Sequence, residues 1–366
     1  MKIIVSKEEL NKGVNIVNKA VPVHTTMPIL QCILIDATTD EIRLTANDME
    51  IAIETLVQGT IEERGKIAIE ARTFSDLVKK LPDNDVYIEC DEKLNTTIKC
   101  EKATFNIVSK YADDFPHIPA VARNKPVELS QFTLKEIIRQ TIFSIAENEN
   151  NKLMTGELFE IKENRLKVVS LDGHRISIRN TELNENYDDV KVIVPGKTLN
   201  KINGIVPGDA DKKVFIYFTE NNIIFEFENT TVVSRLIEGE YFRIEQMLSS
   251  DYTTKIRVNK KQLMESLDRS TLLVREKDKK PIVFDITESN LNIRMDSSFG
   301  SMSEDIDLEK EGKDMRIGFN PKFYIDALRV IDEETVTIYY INPKAPCFIK
   351  DENETYIYLV LPVNIL

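Results

Sequence analysis

Apolar positions recur along this chain in two alternating rhythms, one of about 3.6 residues and one of two. Three segments open alike: Ser6-Lys-Glu-Glu-Leu10, Ser130-Gln-Phe-Thr-Leu134 and Asn259-Lys-Lys-Gln-Leu263. Each begins with a residue whose side chain can cap a helix and places Leu four positions later. Apolar residues follow at +4 and +11 from that Leu, as Val14 and Val21, Ile138 and Ile145, Leu267 and Val274. That spacing keeps one helix face apolar. A second predicted helix starts from Arg72-Thr-Phe74, Lys197-Thr-Leu199 and Lys322-Phe-Tyr324. Its +3 and +7 positions are again apolar: Leu77 and Leu81, Ile202 and Val206, Ala327 and Ile331. Pro82 and Pro207 would stop the first two copies. The bases at 72, 197 and 322 stand 125 residues apart each time, so the chain reads as one plan repeated three times.

Between the helices the pattern alternates with period two. Ile42-Arg-Leu44-Thr-Ala46, Leu166-Lys-Val168-Val-Ser170 and Leu291-Asn-Ile293-Arg-Met295 predict strands. So do Lys191-Val-Ile-Val194, Val214-Phe-Ile-Tyr-Phe218 and Thr335-Val-Thr-Ile-Tyr-Tyr340. The expected class is α+β. Three domains, 1–122, 127–249 and 252–366, would each pack two helices on one face of antiparallel sheet. Hinges are expected near Ala122-Arg-Asn-Lys-Pro126 and Ser249-Ser-Asp-Tyr252, and the acidic runs Asp83-Asn-Asp85 and Asp188-Asp189 are expected in solvated loops.

Composition narrows the class. The 366 residues are 42% apolar and 30% charged, a globular profile. The least charged stretch, Val21–Ile35, is too short and too interrupted by Pro and Thr to span a bilayer. Acid follows Met1 within eight residues, which is unlike a signal peptide. Cys32, Cys90, Cys100 and Cys347 form no CxxC pair, and His24, His117 and His174 stand at no ligand spacing. A cytoplasmic protein with reduced thiols is expected, with no metal, no cofactor and no membrane partner.

The net charge of −13 argues against nucleic acid until it is divided by element. Windows 7–20, 72–80, 131–146, 197–206, 259–275 and 320–330 together hold 16 bases and 7 acids, leaving the rest of the chain at −22. An acidic protein has gathered base on one repeated helical layer, the footprint of sequence-blind phosphate contact. Helices pack about 8–10 Å apart, so six side by side would close a circle of only about 17 Å. Twelve, from two chains, give about 34 Å and a bore near 25 Å, wide enough for a duplex.

Most catalytic motifs fail on inspection. Gly196-Lys197-Thr198 imitates a Walker A ending, yet Lys191 stands where the first glycine belongs. Asp172-Gly173-His174-Arg175 has no nucleophile in recognisable context, and Asp48 stands 124 residues before Asp172, pointing to a turn role. The apolar terminus, Tyr356 to Leu366, reads as a last strand whose Leu361, Pro362 and Val363 could wall an exposed peptide groove.

The ordered motifs Thr26-Met-Pro28-Ile-Leu30, Leu44-Thr-Ala-Asn-Asp48, Asp114-Phe-Pro116, Gly156-Glu-Leu-Phe159 and Asp172-Gly-His-Arg175 cover the first half of a likeness. Val192-Ile-Val-Pro195, Arg235-Leu-Ile-Glu-Gly239, Ile317-Gly-Phe-Asn320 and Leu361-Pro-Val363 complete it. Together they resemble the bacterial sliding clamps, the β subunits of the DNA polymerase III holoenzyme, over the whole chain. The resemblance implies a head-to-tail homodimer, a ring of six similar domains around double-stranded DNA, without chemistry of its own. It implies as partners the replicative polymerase α subunit and the clamp loader δ subunit, and also repair polymerases, mismatch-repair proteins and ligase.

Carried over by position, the resemblance implies a partner groove of Met154, Leu171, Gly173, His174, Arg175, Ile176, Phe242, Met247, Pro346, Val360, Leu361, Pro362 and Val363. The implied DNA-facing residues are His24, Arg72, Lys79, Lys80, Arg139, Lys152, Lys197, Lys201 and Lys261. Ring closure would use Phe105, Ile107, Leu272 and Leu273, with Glu304 and Asp305 available to Arg72 or Lys79. Two departures stand out: Phe242-Arg243-Ile244 stands where relatives commonly show Pro-Asp-Tyr, and His24 stands where some members carry Arg, which would weaken one DNA contact near neutral pH. Two other classes compete: a protein scaffold that never touches DNA, and an enzyme acting on acidic polymers along the basic face.

Overall fold

The computed structural model describes residues 1–116, 118, 123, 125–147, 151–248, 251–273 and 280–365. Val274, Ala122, Ser249 and Leu366 lie outside the described residues. The first repeat runs β1 (Lys2–Ser6), α1 (Lys7–Val17), β2 (Cys32–Asp36), β3 (Ile42–Asn47), β4 (Ile51–Val57), β5 (Gly59–Glu63), β6 (Lys66–Glu70), α2 (Ala71–Lys80), β7 (Asp85–Cys90), β8 (Asn95–Cys100) and β9 (Ala103–Val108). The second runs β10 (Val127–Ser130), α3 (Gln131–Thr141), β11 (Gly156–Leu171), β12 (Arg175–Pro195), α4 (Gly196–Asn203), β13 (Lys213–Phe218), β14 (Asn222–Phe227) and β15 (Thr230–Arg235). The third runs β16 (Thr254–Asn259), α5 (Lys260–Thr271), β17 (Ile282–Ile286), β18 (Asn290–Ser297), β19 (Gly300–Gly312), β20 (Met315–Phe319), α6 (Pro321–Val330), β21 (Thr335–Tyr340), β22 (Cys347–Lys350) and β23 (Tyr356–Val360).

The caps form as the residue types require. Ser6 Oγ accepts from Glu9 N at 3.3 Å, Ser130 Oγ from Thr133 N at 3.0 Å, and Asn259 Oδ1 from Gln262 N at 3.0 Å. Each bond satisfies a donor that the first helical turn leaves open. Leu10, Val14 and Val17 are buried on one face of α1. Gly13 lies on that face because a Cβ there would meet Val57 Cγ1 at 2.4 Å, so the helix can approach the sheet only without a side chain. The helices stop earlier than the apolar spacing predicts. After α1 and α3 the chain tightens into 3₁₀ turns at Asn18–Ala20 and Ile142–Ser144, which leaves Val21 and Ile145 beyond the helices.

Strand pairing does not stop at the boundaries between repeats. Sheets of five (β5-β1-β7-β8-β9), eight (β10-β13-β14-β15-β4-β3-β2-β6) and ten strands (β11-β12-β23-β22-β21-β16-β19-β18-β17-β20) form. In the eight-stranded sheet β4 of the first repeat pairs with β15 of the second, Val232 opposite Ile53. In the ten-stranded sheet β12 of the second pairs with β23 of the third, Ile176 opposite Leu359. Each seam satisfies backbone donors and acceptors that an isolated domain would expose on an edge strand. Contacts accordingly group the chain into two compact units, Met1–Leu134 with Lys197–Leu236, and Lys135–Gly196 with Ile237–Leu366. The expected loop at Asp188-Asp189 is instead part of β12, a 21-residue strand whose hairpin with β11 continues through bulges beyond the packed core. Asp85 likewise opens β7.

Candidate functional site: an apolar groove beside a strand seam

An apolar cluster grows from one face of β11, β12 and β23, where the groove is expected. Period-two alternation puts Leu158, Val169, Leu171, Ile176, Ile178, Ile357 and Leu359 into a single apolar cluster with Ile237, Tyr241 and Ile244. Met154 and Phe242 pack against this cluster half-buried. Four of the expected groove residues, Met154, Leu171, Ile176 and Phe242, are thus brought together. Leu153, Leu248, Tyr339 and Ile341 join them without having been singled out. Tyr241 anchors the covering segment by donating its hydroxyl to the Val169 carbonyl at 3.3 Å, and Phe242 meets it edge-on at 5.6 Å. In the departing triplet, therefore, Phe242 walls the cluster, Ile244 is buried in it and Arg243 faces solvent. Met247 is exposed, and Pro346 is half-buried outside the cluster.

At one end stands the turn Asp172–Arg175. Asp172 Oδ1 accepts from His174 N at 2.9 Å and from Arg175 N at 3.2 Å, closing it. Gly173 takes φ +89°, and a Cβ built there would meet nothing within 4 Å. The glycine thus serves backbone conformation and leaves an opening rather than relieving a clash. The His174 ring stacks on Phe323 with centroids 5.8 Å apart, while its carbonyl accepts from Leu361 N at 2.9 Å. Val363 N donates to the Gly318 carbonyl at 2.8 Å. The tail is therefore pinned by its backbone, while Leu361, Val363 and Ile365 remain 37–39% exposed. Val360, just before them, is buried, and Pro362 is half-buried.

Beneath the cluster, on β11, Glu157 is wholly buried. One carboxylate oxygen accepts from Thr141 Oγ1 at 3.1 Å, and the other has no hydrogen-bond partner. Burial pushes this carboxyl up to about 8, against a smaller opposing effect of the Thr141 bond.

The first seam repeats the turn. Asp48 Oδ1 accepts from Glu50 N at 3.0 Å and Ile51 N at 2.8 Å, Met49 takes φ 73°, and the Glu50 carbonyl accepts from Arg235 N at 2.9 Å. Here a methionine side chain projects where Gly173 leaves space. The second seam thus sets an apolar cluster beside a turn that leaves space at its glycine.

The basic residues differ in exposure and in the carboxylates close to them. His24, Arg72, Lys79, Lys80, Lys152, Lys197 and Lys261 are exposed. Lys79 lines a cavity of about 500 Å³ with Lys12 and Lys19 of the first helical segment. Both lysines contribute to the helix charge, but orientation along a short helix is weakly encoded in sequence, so only the fold places them beside Lys79. Arg139 is different. Its guanidinium bonds Glu136 and, at 2.9 Å, Asp332, so carboxylates already occupy much of it. Lys201 is bonded to Asp48 at 2.9 Å. Lys261 lies 3.9 Å from Glu265.

The expected closure residues lie on two open surfaces. Strand β9 ends the five-stranded sheet and exposes Phe105, with Ile107 half-buried. Leu272 is 82% exposed after α5, whereas Leu273 packs against the third repeat's core. Glu304 and Asp305 are not idle acids, contrary to the expectation. Arg269 Nε donates to Glu304 at 3.0 Å and holds its carboxyl below the ordinary range. Asn290 and Asn292 donate to Asp305 at 2.8 and 2.6 Å. Among the described residues no cluster could hold a metal ion, and no helix is long and apolar enough to cross a membrane.

Comparison with known proteins is consistent with this architecture. The family descriptions DNA polymerase III beta subunit N-terminal, central and C-terminal domain match residues 1–119, 128–242 and 245–364. The beta sliding clamp of Bacillus subtilis (strain 168) is 33% identical over all of both chains. A crystal structure from Eubacterium rectale, assigned as a DNA polymerase III beta subunit, is 66% identical with a TM-score of 0.98, covering 100% of this chain and 99% of that one. The DNA polymerase sliding clamp of Bacillus subtilis is 32% identical and superposes with a TM-score of 0.97 over 100% of both. The chain therefore belongs to the DNA polymerase III beta-subunit family, the beta sliding clamps, and serves the bacterial replicative polymerase as a non-catalytic processivity subunit.

Proposed function

We propose that two copies of this chain, each with clamp domains 1–122, 127–249 and 252–366, close head to tail around duplex DNA in the cytoplasm and tether partner proteins through the groove beside β12 and β23. The observation that carries the tethering is the tail. Its backbone is fixed by the His174 and Gly318 carbonyls while the Leu361 and Val363 side chains stay exposed. Exposed, preordered apolar side chains cost little entropy to engage, which suits short peptide segments of the polymerase α subunit, the loader δ subunit, repair polymerases, mismatch-repair proteins and ligase.

The hairpins support ring closure. Glu101 and Glu228 take φ 50° and 49° at the turns before β9 and β15, so Phe105 occupies in the first repeat the place of Val232 in the second. Val232 is buried against β4 within the chain, and Phe105 would find the matching surface on a second copy. DNA is held loosely by Arg72, Lys79, Lys80, Lys152, Lys197 and Lys261, with no base readout.

Retention on nicked circular DNA, compared with the same DNA linearised, tests this reading. Retention on the circle and loss from free ends, with two chains per particle, is the expected result. Equal release from both would leave a scaffold that uses its groove alone.

A further inference from the structure

Arg175 is 8% exposed, and all three of its nitrogens are committed. Nε donates to Asp172 Oδ2 at 3.0 Å, Nη1 to Asp326 Oδ2 at 2.7 Å and Nη2 to the Phe143 carbonyl at 2.6 Å. Its guanidinium carbon lies 4.8 Å from the Phe323 ring centroid and 5.4 Å from that of Phe143. A planar guanidinium with this set of acceptors and rings keeps little surface for a ligand. What it does instead is fix the turn, since the bonded Asp172 closes the turn and the turn's His174 carbonyl holds Leu361.

Asp326 is the remote end of this arrangement. It lies on α6, one helical turn after Phe323, the residue that stacks on His174. One face of α6 therefore supports the turn twice, by a carboxylate under Arg175 and by a ring under His174. The same position is used at the first seam. Lys201 stands four residues after the repeated base at 197, as Asp326 stands four after the base at 322, and it bonds Asp48, the counterpart of Asp172. The polarity is reversed, yet the strut recurs.

We propose that Asp326 is a positioning residue for partner recognition: acting through Arg175, it holds the Asp172–Arg175 turn in the conformation that keeps the Gly173 opening and the Leu361 wall in register. The inference rests on the groove reading given above. It places part of the recognition machinery on a helix that contributes no wall to the groove, and it assigns Arg175 to framing rather than to contact.

The test is a double-mutant cycle on the full-length dimer, with a fluorescein-labelled hexapeptide ending in Leu-Phe as the probe. Asp326→Asn should weaken binding roughly tenfold by releasing a preorganised turn, and Asp326→Glu should restore most of it. In an Arg175→Ala background Asp326→Asn should cost nothing further, because its effect passes through the guanidinium. A signature that general destabilisation would not produce is the His174 imidazole resonances. Phe323 stacks on that ring, so they should move in the peptide-free Asp326→Asn protein at a temperature where it is fully folded. Wild-type affinity in Asp326→Asn, or an equal loss with and without Arg175, overturns the proposal. Failure of the unmutated chain to bind the probe, or binding that survives removal of residues 361–366, overturns the groove reading itself and is distinguishable from both.

Discussion

Lys201 Nζ donates to Asp48 Oδ2 at 2.9 Å, fastening α4 to a turn 153 residues earlier in the chain. Both side chains are mostly sheltered from solvent. A lysine that the resemblance implies as DNA-facing is thus already engaged in holding the first strand seam.

Lys201→Met should accordingly cost about 1 kcal/mol of stability, as partly buried ion pairs do. The urea midpoint checks this. An unchanged midpoint combined with weakened DNA retention would return Lys201 to the DNA surface.

Glu157 makes stability depend on pH. The folded chain keeps this proton up to about pH 8, whereas an unfolded glutamate releases it near its ordinary 4.5. Stability from this group is therefore greatest below pH 4.5, falls as pH rises towards 8 and is flat beyond it. The span is roughly a few kcal/mol. Glu157→Gln should flatten that slope and raise the melting temperature at pH 8.5 relative to the parent chain. Parallel melting curves for the two proteins between pH 5.5 and 8.5 would refute this.

Removing Leu361 to Leu366 should leave the dimer intact and reduce peptide binding by at least tenfold, since the proposed groove takes Leu361 and Val363 as a wall, exposed on a backbone held by His174 and Gly318. Fluorescence polarisation reads the affinity and light scattering the mass. Retained affinity would mean that the tail is only a last strand.

Leu272 and Leu273 should part company. Leu273→Asp introduces an unpaired charge both into the expected closure surface and against the third repeat's core, so dimer mass and melting temperature should fall together. Leu272→Asp, at an exposed position, should separate the dimer at micromolar concentration with little change in melting temperature. Unchanged dimer mass in both variants would remove these leucines from the interface.

Among the bases, Lys79→Ala should lower the salt dependence of DNA retention by close to one phosphate's share. Arg139→Ala should change it less, because Glu136 and Asp332 already neutralise that guanidinium. Equal slopes for the two variants would show that the carboxylates let go when DNA binds.

Much of this architecture is local and hence legible along the chain. The caps at Ser6, Ser130 and Asn259, the faces of the six helices and the alternating strands follow from interactions between residues a few positions apart, so residue type and spacing suffice to place them. The same local logic marked Asp172 as a turn residue through its likeness to Asp48. Of its expected groove neighbours, Leu361, Pro362 and Val363 were legible in the apolar terminus, and the rest came from the family resemblance. Tertiary structure alone decided how strands continue across the repeats, because an edge strand's partner is chosen by backbone pairing far along the chain, as when Val232 meets Ile53. It also decided which charges are spoken for. Arg139, Lys201, Glu304 and Arg175 look like available surface charges in one dimension. Each is taken up by a partner 35 to 193 residues away, because an ion pair is set by distance in space, on which sequence spacing is silent.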